Sequence, residues 1–274
     1  MKMKKIAFTL ALMFLCAGAA GAREAAQSFS VKWYGSFREI IQEKDLGGVV
    51  LLRKALSDPH VYAVGMIRDA AGEITVIDGS ASLNYGKDGI GNAVAEIRKG
   101  EEASLLIAAN VAEWRTVSIP GNMTEGELHA FVLEEARKTG INTREPFPFL
   151  IDGTIKKLVW SVLDGTEPEL TRQTHQLFFR KLVGYRPETQ AVLIGFYPAE
   201  LRSELAWPGE WWHVHVLFKD ERTTGHVNAF SVEKGATLRL PARMRPLFTR
   251  GEGAAVAALR PKTPQLVYSS LIPR

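Results

Sequence analysis

One cysteine occurs in 274 residues, and it stands at position 16. Everything around it reads as a leader: residues 1–5 carry Lys2, Lys4 and Lys5, residues 6–15 are apolar, and Ala20-Gly21-Ala22 forms a small-x-small cleavage site before Arg23. Leu15 precedes the cysteine where a lipobox needs Gly, Ala or Ser, which argues against lipidation. Cleavage after Ala22 leaves residues 23–274 without a thiol, so disulfides and cysteine catalysis are excluded. The expectation is an exported protein, periplasmic or secreted, from a bacterium. An excess of charge is missing too. The formal +4 becomes 31 basic against 30 acidic residues once the leader is set aside, and nothing in that balance recommends a nucleic-acid partner. Beyond the leader no apolar run approaches the roughly 20 residues that span a bilayer, so no membrane association is expected after cleavage. Repeats and low-complexity tracts are also absent.

What remains is an ordinary globular composition, 46% hydrophobic and 23% charged. The patterning predicts an α+β protein, with mixed and antiparallel β-sheets and a few packing helices. Two sublobes are expected, roughly 30–147 and 148–274. Helical spacing is read at 37–44 and 48–57, and strands at 61–67 and 73–77 around a polar turn at 68–72. Asp78-Gly79 reads as a further turn, and 104–109 and 113–119 as further strands. The clearest helix covers 124–139: Thr124 and Glu127 form a capping box, Leu128, Phe131, Val132 and Ala136 make one apolar face, and Gly140 follows. His129 on that helix reads as a partly exposed or hydrogen-bonded histidine. From 149 onward strands dominate: 149–151, a turn at Asp152-Gly153, 155–162, 176–183, 190–196, 212–218 and 226–232, with a short helix at 198–205. The basic tail from 241 reads as a solvated strap, with an anion-binding face as the alternative.

Histidine is scarce, with six residues, and three of them cluster: Trp212-His213-Val214-His215, then Gly225-His226-Val227. On a strand, residues two apart share a face, so His213 and His215 project together. The polar run 219–225 turns the chain back. An even turn such as 220–223 places His226 opposite Leu217, on the face of the other two. Three imidazoles converging from a hairpin can hold Zn²⁺ and leave a fourth position open, the pattern of a catalytic zinc site. Trp211 and Trp212 either wall a pocket or belong to the core.

The spacing His213-x-His215-x10-His226 resembles the zinc signature of the acetolactate decarboxylases, which usually ends Gly-Gly-His-Val. Ile194-Gly195-Phe196, Pro208-Gly209, the segment Gly72-Glu73-Ile74-Thr75-Val76-Ile77-Asp78-Gly79, Ile151-Asp152-Gly153-Thr154 and the opening Tyr34-Gly35 extend the likeness across roughly 33–240. The resemblance implies a zinc lyase that converts 2-acetolactate to acetoin and carbon dioxide. His213, His215 and His226 would be ligands and Glu73 a proton donor or base. The partner would be a small 2-hydroxy-3-oxo acid, with a homodimer left open.

Three positions depart from the pattern. The family's substrate-holding arginine falls on Ser161, for which Lys157, Arg172 or Arg180 could substitute. Glu233 and Glu252 are the only acidic side chains after His226, where the family brings a carboxylate from its tail. Thr224 replaces a glycine. The alternative function is a diverged exported zinc protein that binds a small oxygenated ligand without decarboxylating it, or catalyses another zinc-assisted step. A purely structural zinc hairpin is a third reading.

Overall fold

The structure, a computed structural model, describes residues 29–170, 177–219, 223–242 and 247–250. The leader, Arg172, Glu252 and most of the basic tail lie outside the described residues. In chain order the first elements are β1 (Phe29–Tyr34), α1 (Phe37–Glu43), β2 (Val50–Leu51), α2 (Leu52–Ala55), β3 (Val61–Ile67), β4 (Gly72–Ile77), β5 (Ser80–Tyr85) and β6 (Glu102–Val111). There follow β7 (Trp114–Ser118), β8 (Met123–Thr124), α3 (Glu125–Lys138), β9 (Phe147–Leu163), β10 (Glu169–Leu170) and β11 (Leu177–Phe178). The last are β12 (Lys181–Tyr197), α4 (Arg202–Leu205), β13 (His213–Phe218), β14 (Thr224–Val232), β15 (Thr237–Pro241) and β16 (Leu247–Arg250). The architecture is α+β, with predominantly antiparallel sheets and few helices, as the patterning predicts.

Two seven-stranded sheets carry the chain. The first runs β16-β1-β6-β3-β4-β5, with β2 added on β6. The second runs β7-β15-β9-β12-β13-β14-β8, and a further pairing of β14 with β9 closes β9, β12, β13 and β14 into a ring. The sheets do not divide at residue 147. Strands β7 and β8 and helix α3 precede that point yet pack with the second sheet, whereas β16 pairs in parallel with β1 of the first.

Every residue of β3 is buried, as expected for a strand covered on both faces. Its alternate residues Tyr62 and Val64 join Phe149, Ile151 and Phe196 in the core shared with the second sheet. Val61, Ala63 and Ile67 pack with Ile74, Val76 and Leu83 on the other side. The same two-residue period turns Glu73 and Thr75 of β4 toward the second sheet, opposite Met66 and Val64 in the ladder. Helix α3 closes one end of the shared core with Leu128, Val132 and Ala136, and its capping box is formed as predicted.

Several local expectations are corrected. Asp152-Gly153 is not a turn: β9 runs unbroken through it, paired with β12 throughout. Gly153 has φ of +154°, and a side chain there would meet Ala236 within 2.8 Å, so the glycine admits the close approach of the connection between β14 and β15. The strands expected at 176–183 and 190–196 largely merge into β12, seventeen residues long, because the partner β9 supplies its ladder through the polar middle. The helix at 48–57 shrinks to β2 and a single helical turn, since residues 49–51 pair with β6. Strand β5 was missed.

Candidate active site

His213 and His215 leave β13 on one face, as the strand period requires, and β14 brings His226 alongside. The hairpin register differs from the one expected: His226 stands opposite His215, and Thr224 opposite Leu217. The slip is two residues, so the face is kept and the histidines lie closer together. Their nearest ring nitrogens fall within 4.8 Å of one another, and His213 Nε2 is 3.1 Å from His215 Nε2. Gly225 is required by the same packing, because a Cβ there would lie 2.6 Å from the Ser161 carbonyl oxygen where β14 closes on β9.

Glu73 enters from the opposite sheet. It is 4% exposed, accepts from the Leu163 backbone N–H at 3.3 Å, and places Oε2 3.6 Å from His215 Nε2. Burial raises its pKa to about 7, against the opposing pull of His226, the Leu163 N–H and Lys181. Burial holds His213 and His215 well below the ordinary histidine value, reinforced by the neighbouring imidazoles. With His215 neutral, the short Glu73 contact is no ion pair. Burial also lowers His226, but the Glu210 carboxylate, 2.8 Å from its Nε2, outweighs that and lifts the pKa above the ordinary value, with Glu73 adding to the effect.

Glu73, Glu210, His213 and His226 border a cavity of ≈ 230 Å³ between the sheets, with His215 buried behind them. Phe37, Phe179 and Trp207 make its apolar wall, with Trp207 edge-on to both phenyl rings at 5.2 Å. Its polar lining includes Glu73, Ser161, Lys181, Glu210, His213 and His226. Ser161 is buried and stands beside His226 in the β9–β14 ladder.

Among the substitutes for an arginine at that place, Lys157 is an exposed residue with φ of +51°, and Arg180 faces Asp164 at 3.7 Å. Among the described residues, Lys181 is the cation that lines the cavity. In the β9–β12 ladder Val183 opposes Ser161 and Lys181 opposes Leu163, so Lys181 is the diagonal neighbour of Ser161 on one face. Of the tail acids, Glu233 is tied to Lys156 at 2.7 Å. Among the described residues the carboxylate at His226 is that of Glu210, held in a turn by its N–H donating to the Trp207 carbonyl at 3.0 Å. Its Oε2 is buried without a partner among the described residues, and so is Oδ1 of Asn228, which also lines the cavity.

Sequence reasoning missed Lys181, Glu210 and Asn228. Asn228 was readable in principle, being two residues beyond His226 on the same strand. Of the tryptophans, Trp212 is core and donates to Glu125 at 3.1 Å, whereas Trp211 is largely exposed. His129 packs among Tyr197, Trp211 and Trp212, and its Nε2 has no hydrogen-bond partner among the described residues.

The donor set fits a divalent transition metal. Two neutral imidazoles turn Nε2 atoms toward each other in a buried pocket, a third lies beside them, and a carboxylate oxygen is at hand.

Fold and site together define an α+β protein with a three-histidine cluster able to hold a metal ion, set between two predominantly antiparallel sheets. The sequence model of alpha-acetolactate decarboxylase matches residues 62–242, from β3 through β15, and the chain belongs to that family. No curated protein sequence matches it. Among solved structures, the alpha-acetolactate decarboxylase of Bacillus subtilis strain 168 aligns over 81% of this chain and 89% of its own, with 14% identity and a TM-score of 0.59. A Staphylococcus aureus protein of unknown function, similar to alpha-acetolactate decarboxylase, aligns over 85% and 94% with 13% identity and a TM-score of 0.61. The acetolactate decarboxylase of Bacillus subtilis subspecies spizizenii gives 84%, 93%, 16% and 0.59. At these identities the likeness concerns the fold.

Proposed function

We propose that this protein is a zinc-dependent carboxy-lyase that converts 2-acetolactate, or a close 2-hydroxy-3-oxo acid, to acetoin and carbon dioxide. The observation that carries the proposal is the buried Glu73 carboxyl beside three convergent histidines, in a family of decarboxylases. His213, His215 and His226 would hold the ion, with the Glu210 carboxylate available beside them. Zinc bound there supplies Lewis-acid polarisation of the substrate's ketone and hydroxyl oxygens.

The chain's own residues do the rest. Lys181 draws the carboxylate of the substrate into the cavity, a task for which a lysine serves as a point charge where an arginine would offer a fork. The wall of Phe37, Phe179 and Trp207 keeps water from that carboxylate. Asn228 Oδ1 offers an acceptor to the substrate hydroxyl. When the bond to carbon dioxide breaks, its electron pair stays with the remaining fragment, delocalised onto the former ketone oxygen. Glu73 donates its carboxyl proton to the carbon that lost carbon dioxide.

A second reading is favoured by Ser161. A hydroxyl where the resemblance expects a guanidinium suits a protein that binds a small oxygenated ligand without turning it over. Assay of the zinc-loaded protein for acetoin formed from acetolactate separates the two: steady production supports the lyase, and saturable binding without acetoin supports the binder. The leader pattern supports export of either form to the periplasm or medium, and N-terminal sequencing of the exported protein should begin at Arg23.

A further inference from the structure

His215 is the least accessible of the three histidines, and its second ring nitrogen meets a chain of hydroxyl groups with one possible polarity. Thr224 Oγ1 lies 2.6 Å from the Val216 carbonyl oxygen, which can only accept, so the Thr224 hydroxyl proton points there. Thr224 Oγ1 is also 2.5 Å from Thr75 Oγ1. Having spent its proton, the Thr224 oxygen must accept, and the Thr75 hydroxyl donates to it. The Thr75 oxygen is then left as an acceptor toward His215 Nδ1, 3.0 Å away, and the same ring also donates to the Ile74 backbone carbonyl. His215 Nδ1 therefore carries the hydrogen, and in the neutral ring Nε2 is bare. All three side chains are essentially inaccessible to water, at 0%, 1% and 0% for His215, Thr75 and Thr224. No solvent molecule competes for these bonds.

The relay also crosses the interface between the sheets. Thr75 comes from β4, and Thr224 opens β14 two residues before His226. The Thr224 carbonyl is itself pinned by Asn84 of β5, whose Nδ2 donates to it at 2.9 Å and to the Ile90 carbonyl at 2.8 Å. Thr224 stands where the resemblance expects glycine, which has no hydroxyl to contribute.

We infer that Thr224 and Thr75 are positioning residues that lock His215 in the Nδ1–H tautomer and so present its Nε2 lone pair to the metal. The inference rests on the metal-centre reading above for its purpose, but the tautomer itself can be read without metal, substrate or turnover. Outer partners of this kind typically change metal affinity by roughly 10–100-fold when lost.

The test has two arms on the full protein. In the metal-free state, the ring ¹⁵N shifts of His215, assigned with His215→Gln, should show the Nδ1–H pattern in the native protein and in Thr224→Ser. Thr224→Val should move His215 toward the Nε2–H form, because a freed Thr75 hydroxyl can donate to Nδ1. In a chelator competition with Zn²⁺ alone, Thr224→Val should bind roughly 10–100-fold more weakly, and Thr224→Ser within about twofold of native. If Thr224→Val fails to fold, Thr75→Val serves the affinity arm and the native spectrum decides the tautomer. A native His215 in the Nε2–H form overturns the relay, as does a folded Thr224→Val with native affinity and tautomer. A protein that shows the Nδ1–H pattern but binds no zinc would sink the metal reading and leave the relay standing.

Discussion

The β13–β14 hairpin and the β4 strand face each other across one cavity, yet they reach it by different routes. The hairpin places three histidines within fourteen residues of sequence through the two-residue period of a strand and one tight reversal. Strand β4 contributes Glu73 and Thr75 from about 140 residues away, and only the packing of one sheet on the other aligns them with His215. The clustering of the three histidines is therefore a local property, whereas the carboxyl and hydroxyl groups that surround them are placed by the interface between sheets.

The sharpest way to break that contrast is to remove a histidine. His213→Ala and His226→Ala should each weaken zinc binding by more than roughly 100-fold, beyond what loss of an outer partner costs, and metal analysis after dialysis reads it. Unchanged stoichiometry in both variants would show that the hairpin is not the metal site.

Next comes the opposite wall. Glu73→Gln should lower kcat by roughly 10²–10⁴-fold while leaving zinc content intact, if the carboxyl moves a proton and does not hold the ion. The same variant has a signature without metal. A carboxyl raised from 4.5 to about 7 contributes stability that is fully present below pH 4.5 and is lost as pH rises through 7. A shift of that size corresponds to on the order of 3 kcal/mol, so denaturation of metal-free Glu73→Gln should lack a decline that the native protein shows between pH 4.5 and 7.

A smaller effect is expected from the cation. Lys181→Met should raise KM for acetolactate roughly 10–100-fold, the range of one charged hydrogen bond, with less change in kcat. Because Ser161 is its diagonal neighbour, Ser161→Arg in that background should recover part of the loss. A KM indifferent to Lys181→Met would show that the charge at the cavity is supplied from elsewhere.

The mildest change lies away from the cavity. Thr124→Ala removes the cap of α3, where Thr124 Oγ1 accepts from the Glu127 N–H at 3.4 Å and donates to Glu127 Oε2 at 2.7 Å. It should cost about 1 kcal/mol, or roughly 2–4 °C in Tm, with zinc affinity unmoved. A coupled loss of zinc would mean that helix and hairpin are less independent than the fold suggests.

By itself the sequence determined what short-range geometry can carry. The shared face of His213 and His215, the parity that puts His226 on it, and the Thr124–Glu127 box all follow from residues a few positions apart, and each survives a register slip of two. Long pairings erased other local signals: Asp152-Gly153 has the composition of a turn, but β12 supplies partners straight through it. Lys181, Glu210 and Thr75 were not legible as site residues. A lysine beginning a strand, a glutamate after Pro208-Gly209 and a threonine in an apolar ribbon are ordinary in sequence. Tertiary structure alone decided their roles, because which strand edges pair and which faces are pressed together depends on burying apolar side chains spread over the whole chain, and that burial is what brought a carboxyl, a cation and a hydroxyl relay to the same three imidazoles.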